Sequence, residues 1–147
     1  MIAIALDDEP AALEILRRHA EKVPFISLTH TFVSTAETLA FLSQNAVDVL
    51  FLDVQMPDML GTDFARLLKN TQTQIVFVTA YPDYAVEGFA LQALDYLLKP
   101  VEFSRFLQAC NRALGQLPKK AGEPSSIFVK DGYDWVRVNL DEILYIQ

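Results

Sequence analysis

Five polar positions in this chain fall where short apolar runs stop. Asp7 and Asp8 follow IAIAL, Asp53 ends VLFLD, Thr79 closes IVFVT and Lys99 follows DYLL. Three carboxylates gathered at one place repel one another and suffer raised pKa values unless a cation sits among them. A hard divalent cation with oxygen ligands suits such a set, and Mg²⁺ in particular keeps several waters and couples carboxylates to phosphate. A Lys and a Thr on the far side could then hold the oxygens of a phosphoryl group. Asp53, between the cation and those two side chains, is placed to accept one. Taken singly these residues say little. Asp7 or Asp8 alone would be a helix cap, Thr79 a good strand residue and Lys99 a solvated charge.

The chemistry requires the runs to lie side by side with like ends together. Five apolar runs, IAIAL, FISLTHTF, VDVLFL, IVFVT and ALDYLL, alternate with segments of helical spacing. After Glu9, the residues Leu13, Leu16 and Ala20 share a face, and Pro10 suits a first helical turn. Ser34 and Glu37 form a capping-box pattern ahead of Leu39 and Leu42. Phe64, Leu67 and Leu68 mark a third helix, Tyr84 to Leu91 a fourth and Phe103 to Leu114 a fifth. Strands alternating with helices imply a parallel sheet. VLFL and IVFV are apolar throughout, as expected when helices cover both faces. The pattern predicts an α/β fold, a doubly wound five-stranded parallel sheet over residues 1–117. Ligands of such sheets bind outside the carboxyl ends of the strands, where all five polar positions fall. Gly61 is expected to serve the turn into the third helix.

Composition narrows the function classes. The chain has 147 residues, 52% of them hydrophobic, enough for one packed domain and a short remainder. With 12 Lys and Arg against 19 Asp and Glu, its formal charge of -7 gives no electrostatic attraction for nucleic acid. Cys110 is the single cysteine, so no intrachain disulfide can form, and its helical setting reads as packing. No apolar run approaches the roughly 18 residues of a membrane span, and no signal-peptide pattern begins the chain. A cytoplasmic protein without membrane contact is expected. His19 and His30 lack ligand spacing and are read as having no functional role.

The motifs LDDEP (6–10), FLDVQMPDMLG (51–61), VTAY (78–81) and DYLLKP (95–100) together resemble the receiver domain of two-component response regulators. The resemblance covers about residues 1–117. It implies a CheY-like fold with Asp53 as the residue phosphorylated by a sensor histidine kinase. It also implies that Asp8, Asp53 and the backbone carbonyl of Gln55 bind Mg²⁺, with Asp7 acting mainly through a bound water. Thr79 would hydrogen-bond the phosphoryl group, Lys99 would pair with it, and Tyr96 would occupy the aromatic switch position. The bond preceding Pro100 would be cis. The face formed by the fourth helix, fifth strand and fifth helix would change on phosphorylation, with Tyr81, Tyr84, Phe89 and Phe106 as candidate surface residues and homodimerisation as one outcome. Tyr96 as a half-buried core tyrosine stays open beside the switch role. Self-phosphorylation and autodephosphorylation, with no turnover substrate, would be the only reactions.

GQLPKKAGEPSS reads as a linker, taken as residues 118–126. Beyond it, IFVKDGYDWVRVNLDEILYIQ is β-rich, with an Asp131-Gly132 turn between strand-like runs. It resembles the start of the LytTR DNA-binding domain through Val138, Leu140, Asp141, Glu142, Ile143, Leu144, Tyr145 and Ile146. Residues 127–147 are therefore expected to be an N-terminal fragment of such a domain, cut before its base-contacting segments. DNA would be a partner of the full-length protein but not of this fragment. The alternative is an extra hairpin on the receiver. In either case Phe128, Trp135 and Tyr145 would lie on strand edges. Two other function classes compete. A haloacid-dehalogenase-like phosphohydrolase needs a second Asp where this chain has Gln55, and a nucleotide-binding domain needs a Gly-rich phosphate loop that is missing. A receiver that works only as an unphosphorylated binding module is the third alternative.

Overall fold

A computed structural model describes residues 1–68, 72–81 and 92–117, together with the backbone of Gly132–Tyr133 and Trp135–Val136. The expected fourth helix with Tyr84 and Phe89, the linker, and the tail residues Phe128, Tyr145 and 138–146 lie outside the described residues. The chain divides into two units, Met1–Leu117 and Pro118–Gln147.

In the first unit five strands form one all-parallel sheet: β1 (Ile2–Leu6), β2 (Ser27–Phe32), β3 (Val49–Asp53), β4 (Gln74–Thr79) and β5 (Asp95–Leu98). The helices are α1 (Pro10–Glu21), α2 (Thr35–Gln44), α3 (Gly61–Leu67) and, matching the fifth helical pattern of the sequence, α4 (Phe103–Gln116). Strand order is β2-β1-β3-β4-β5. The chain leaves β1 toward one edge and returns through β3 toward the other. The direction of winding thus reverses between β1 and β3, and a crevice opens at their carboxyl ends.

Period-two alternation sends the strand side chains into two separate cores. Ala3, Ala5, Val49, Phe51, Val76 and Val78 pack with Leu13 and Leu16 of α1 and with Phe106, Ala109, Cys110 and Ala113 of α4. Ile4, Leu6, Leu50, Leu52 and Phe77 pack with Phe64 and Leu68 on the opposite face, where Leu39 and Leu42 of α2 join them. β3 is buried along its whole length because it has core on both sides. Local signals hold the helix starts. Pro10 occupies the first turn of α1, and the Ser34 side chain accepts a hydrogen bond from the Glu37 backbone N–H at 3.3 Å.

α3 forms where the third helical pattern predicts it, with Leu67 59% exposed and Phe64 and Leu68 buried. Successive helical residues are about 100° apart, so a core stripe running through Phe64 and Leu68 passes Leu67 by. One expectation, Phe106 as a surface residue, is corrected. Phe106 is fully buried, its ring stacked on Phe51 at 5.1 Å, and belongs to the core, not to a changing surface. In the second unit Gly132 pairs with Val136 and Tyr133 with Trp135, antiparallel. The expected Asp131-Gly132 turn begins on a residue outside those described. Among the described residues no helix is long and apolar enough to cross a membrane.

Candidate functional site

β1 runs straight into Asp7, whose backbone N–H still pairs with the Phe32 carbonyl at 3.1 Å. The Asp7 side chain is almost fully buried, and its Oδ1 accepts from the Glu9 N–H at 2.9 Å, turning the chain into α1. Asp53 is the last residue of β3 and is 4% exposed. One oxygen from each of Asp7, Asp8 and Asp53 lies within 4.8 Å of the others, a donor set that fits a hard divalent cation.

Lys99 reaches this cluster from the end of β5. Its Nζ lies 2.9 Å from Asp7 Oδ2, 2.9 Å from Glu9 Oε1 and 3.5 Å from Asp53 Oδ1. Its backbone N–H donates to the Thr79 carbonyl at 2.8 Å, and the Lys99–Pro100 peptide bond is cis. Thr79 ends β4, one residue beyond the Val78 that pairs with Asp53, so its buried side chain stands at the same rim. The Thr79 hydroxyl accepts from the Tyr81 N–H at 3.2 Å, and the Tyr96 hydroxyl donates to the Tyr81 carbonyl at 2.8 Å. Tyr81 therefore connects Thr79 to Tyr96 through its two backbone groups. Tyr96 is half-buried against Phe77, with ring centroids 6.3 Å apart. Gln55 is exposed two residues after Asp53, in a loop that folds back through a bridge between Gln55 and Leu60.

The electrostatics follow from that crowding. The Asp53 carboxyl is pushed up to about 7, chiefly by burial and then by the Asp7 charge, while Lys99 pulls it down. A hydrogen bond with Asp8 adds to the rise. Burial alone would lower the Lys99 ammonium, but the carboxylates of Glu9, Asp7 and Asp53 outweigh it and hold the amine protonated.

Two residues matter more here than the sequence suggested. Gly61 was legible only as a turn residue. A Cβ built on it would overlap the Asp53 carbonyl oxygen, and its N–H donates to the Val54 carbonyl at 2.6 Å. Only glycine lets α3 start this close to the strand end. Glu9, which the sequence places just before a helix, reaches Lys99 at 2.9 Å. Cys110 is buried in the first core, and burial pushes its thiol up to about 12. His19 donates from Nε2 to the Val101 carbonyl at 2.7 Å and packs between Phe103 and Phe106, while His30 lies against Phe32 and Phe41.

The family model of the response regulator receiver domain matches residues 3–111. This chain belongs to that family. The receiver is 37% identical over 121 residues to the sensory transduction protein LytR of Staphylococcus saprophyticus, covering 79% of this chain and 48% of that one. It is 36% identical over 110 residues to the transcriptional regulatory protein BtsR of Salmonella typhimurium, covering 74% of this chain and 46% of that one. Among solved structures it superimposes on the response regulatory domain of protein mrkE from Klebsiella pneumoniae with a TM-score of 0.72 at 32% identity, over 78% of this chain and 96% of that one. The isolated REC domain of RcsB from Salmonella enterica, with a TM-score of 0.73 at 20% identity over 79% of this chain and 89% of that one, shares the fold. The chain spans about half the length of the curated relatives it matches, from 49% to 52% for the first two.

Proposed function

We propose that Asp53 accepts a phosphoryl group from a sensor histidine kinase, that Mg²⁺ is required, and that the change is passed to a LytTR-type DNA-binding domain controlling transcription. The observation that carries this reading is the buried Asp53 carboxylate set among Asp7, Asp8 and the Lys99 ammonium. A Mg²⁺ ion held by Asp8, Asp53 and the Gln55 carbonyl, with Asp7 acting through water, would offset repulsion between the carboxylates and the phosphoryl oxygens.

The Asp53 carboxylate oxygen attacks phosphorus in line. A P–O bond forms, the P–N bond to the kinase histidine breaks, and that nitrogen keeps the electron pair. Lys99 offsets charge on the phosphoryl oxygens and the Thr79 hydroxyl donates to one of them. The Thr79 hydroxyl accepts from the Tyr81 N–H, so its proton is free for this, and a Thr79 drawn toward the phosphoryl group stretches that contact and loosens the Tyr81 carbonyl that now holds the Tyr96 hydroxyl. Tyr96 then turns inward and alters the face carrying β5 and α4. Leu98 and Leu114, both substantially exposed on those elements, suit self-association there. Hydrolysis of the acyl phosphate returns the carboxylate and inorganic phosphate, so the only reactions are on the protein itself.

The LytTR part of the reading draws on residues 138–146 and on the relatives named as LytR. A cytoplasmic location goes with it, because the kinase donor and DNA are both there. Intact mass after incubation with acetyl phosphate and Mg²⁺ tests the core of the reading. One added phosphoryl group is expected, absent with EDTA and absent in Asp53→Asn. A phosphoryl group retained by Asp53→Asn would displace Asp53 as acceptor. Turnover of a phosphomonoester would point instead to a hydrolase.

A further inference from the structure

Glu9 contributes nothing to the cation-binding cluster of Asp7, Asp8 and Asp53, and its side chain makes no capping hydrogen bond to α1, the helix it precedes. Its carboxylate instead crosses the rim to Lys99, with Oε1 and Nζ 2.9 Å apart. The backbone that carries it is fixed, because its N–H is held by Asp7 Oδ1. The side chain itself is 64% exposed, whereas Lys99 is 17% exposed. Glu9 is therefore an exposed arm resting on the ammonium that, among the described residues, faces Asp53.

We propose that Glu9 is a donor-selecting residue: it competes with the phosphoryl group for Lys99 and places a negative charge at the mouth of the site. The inference rests on Asp53 as the phosphoacceptor. A small anionic donor must enter past that carboxylate and draw Lys99 from it, with little binding energy of its own. A docked kinase supplies that energy from a protein surface, so the handicap falls on the small donor. Donors of higher negative charge are slowed most.

The competition is testable without any phosphoryl transfer. In metal-free protein the Lys99 amine is methylated reductively and followed by peptide mass, with Lys22 as internal reference. Lys99 should react about two- to five-fold faster in Glu9→Gln than in wild type, the range expected for losing one partly exposed ion pair. Glu9→Asp, one methylene shorter, keeps the charge but loses the contact, and it should follow Glu9→Gln. Unchanged Lys99 labelling in Glu9→Gln, or labelling of Glu9→Asp like wild type, overturns the proposal.

The second arm compares phosphorylation by acetyl phosphate with phosphorylation by the less negatively charged phosphoramidate, both with Mg²⁺. In the first the P–O bond to acetate breaks, and in the second the P–N bond to ammonia. Glu9→Gln should raise the acetyl phosphate rate more than the phosphoramidate rate, again by about two- to five-fold in the ratio. A merely structural role would move both rates together, and an unchanged ratio overturns the proposal. Failure of Asp53 as acceptor would leave both donors inert while the labelling result stood, so the two failures are distinguishable.

Discussion

The Asp53 carboxyl sits at about 7 against an ordinary 3.8, because burial disfavours its charged form and Asp7 adds to the effect. The native state thus holds a proton there more tightly than the unfolded chain does. The stability gained is complete below about pH 4 and is lost as pH rises through about 7, at most about 4 kcal/mol for a shift of this size. Metal-free protein in EDTA should therefore melt at a lower temperature at about pH 8 than at about pH 5, and Mg²⁺ should restore more at the higher pH. Asp53→Asn keeps the size and removes the charge, and at about pH 8 it should melt higher than metal-free wild type. A variant melting no higher would mean that Asp53 is not strained by its neighbours. At this scale Asp7, Asp8, Asp53, Thr79 and Lys99 were legible because each interrupts an apolar run. Glu9 was hidden because an acid before a proline-started helix has an ordinary explanation, and only the structure shows its side chain going elsewhere.

Between β3 and α3 the chain folds back on itself, and Gly61 is the point of close approach. Gly61→Ala would force the start of α3 away from the Asp53 carbonyl and from the Val54 backbone. A loss of ~1–3 kcal/mol in urea unfolding is expected, the usual range for inserting a methyl group where the backbone must shift. An unchanged midpoint would show that the loop moves freely. The central strands β3 and β4 were readable because they bury both faces, and the parallel order followed from helices standing between the strands. Phe106 was misplaced for a reason that α3 also illustrates. Helical spacing tells which residues can share a stripe but not how wide the buried stripe is. On α3 the stripe is narrow enough to leave out Leu67. On α4 it reaches Phe106, which Phe51 meets from below.

The chain as a whole is acidic, with a formal charge of -7, and spans about half the length of its curated relatives. On the reading of its tail as the opening of a LytTR domain, it should bind duplex DNA weakly and without sequence preference at about 0.15 M salt. Fluorescence anisotropy against duplexes of differing sequence checks this, and tight binding to one of them would move the recognition elements into residues 1–147.

Cys110, the one thiol in the chain, lies sealed on the core face of α4, where its thiol is pushed up to about 12. Thiolate is the reactive form, so the folded receiver is nearly blind to maleimides and related labels. The molecule thus comes with a clean background: a cysteine introduced at an exposed position such as Leu98 would carry a dye or spin label alone, with no native residue to remove first. Movement of the β5 edge could then be watched directly in the otherwise unaltered protein.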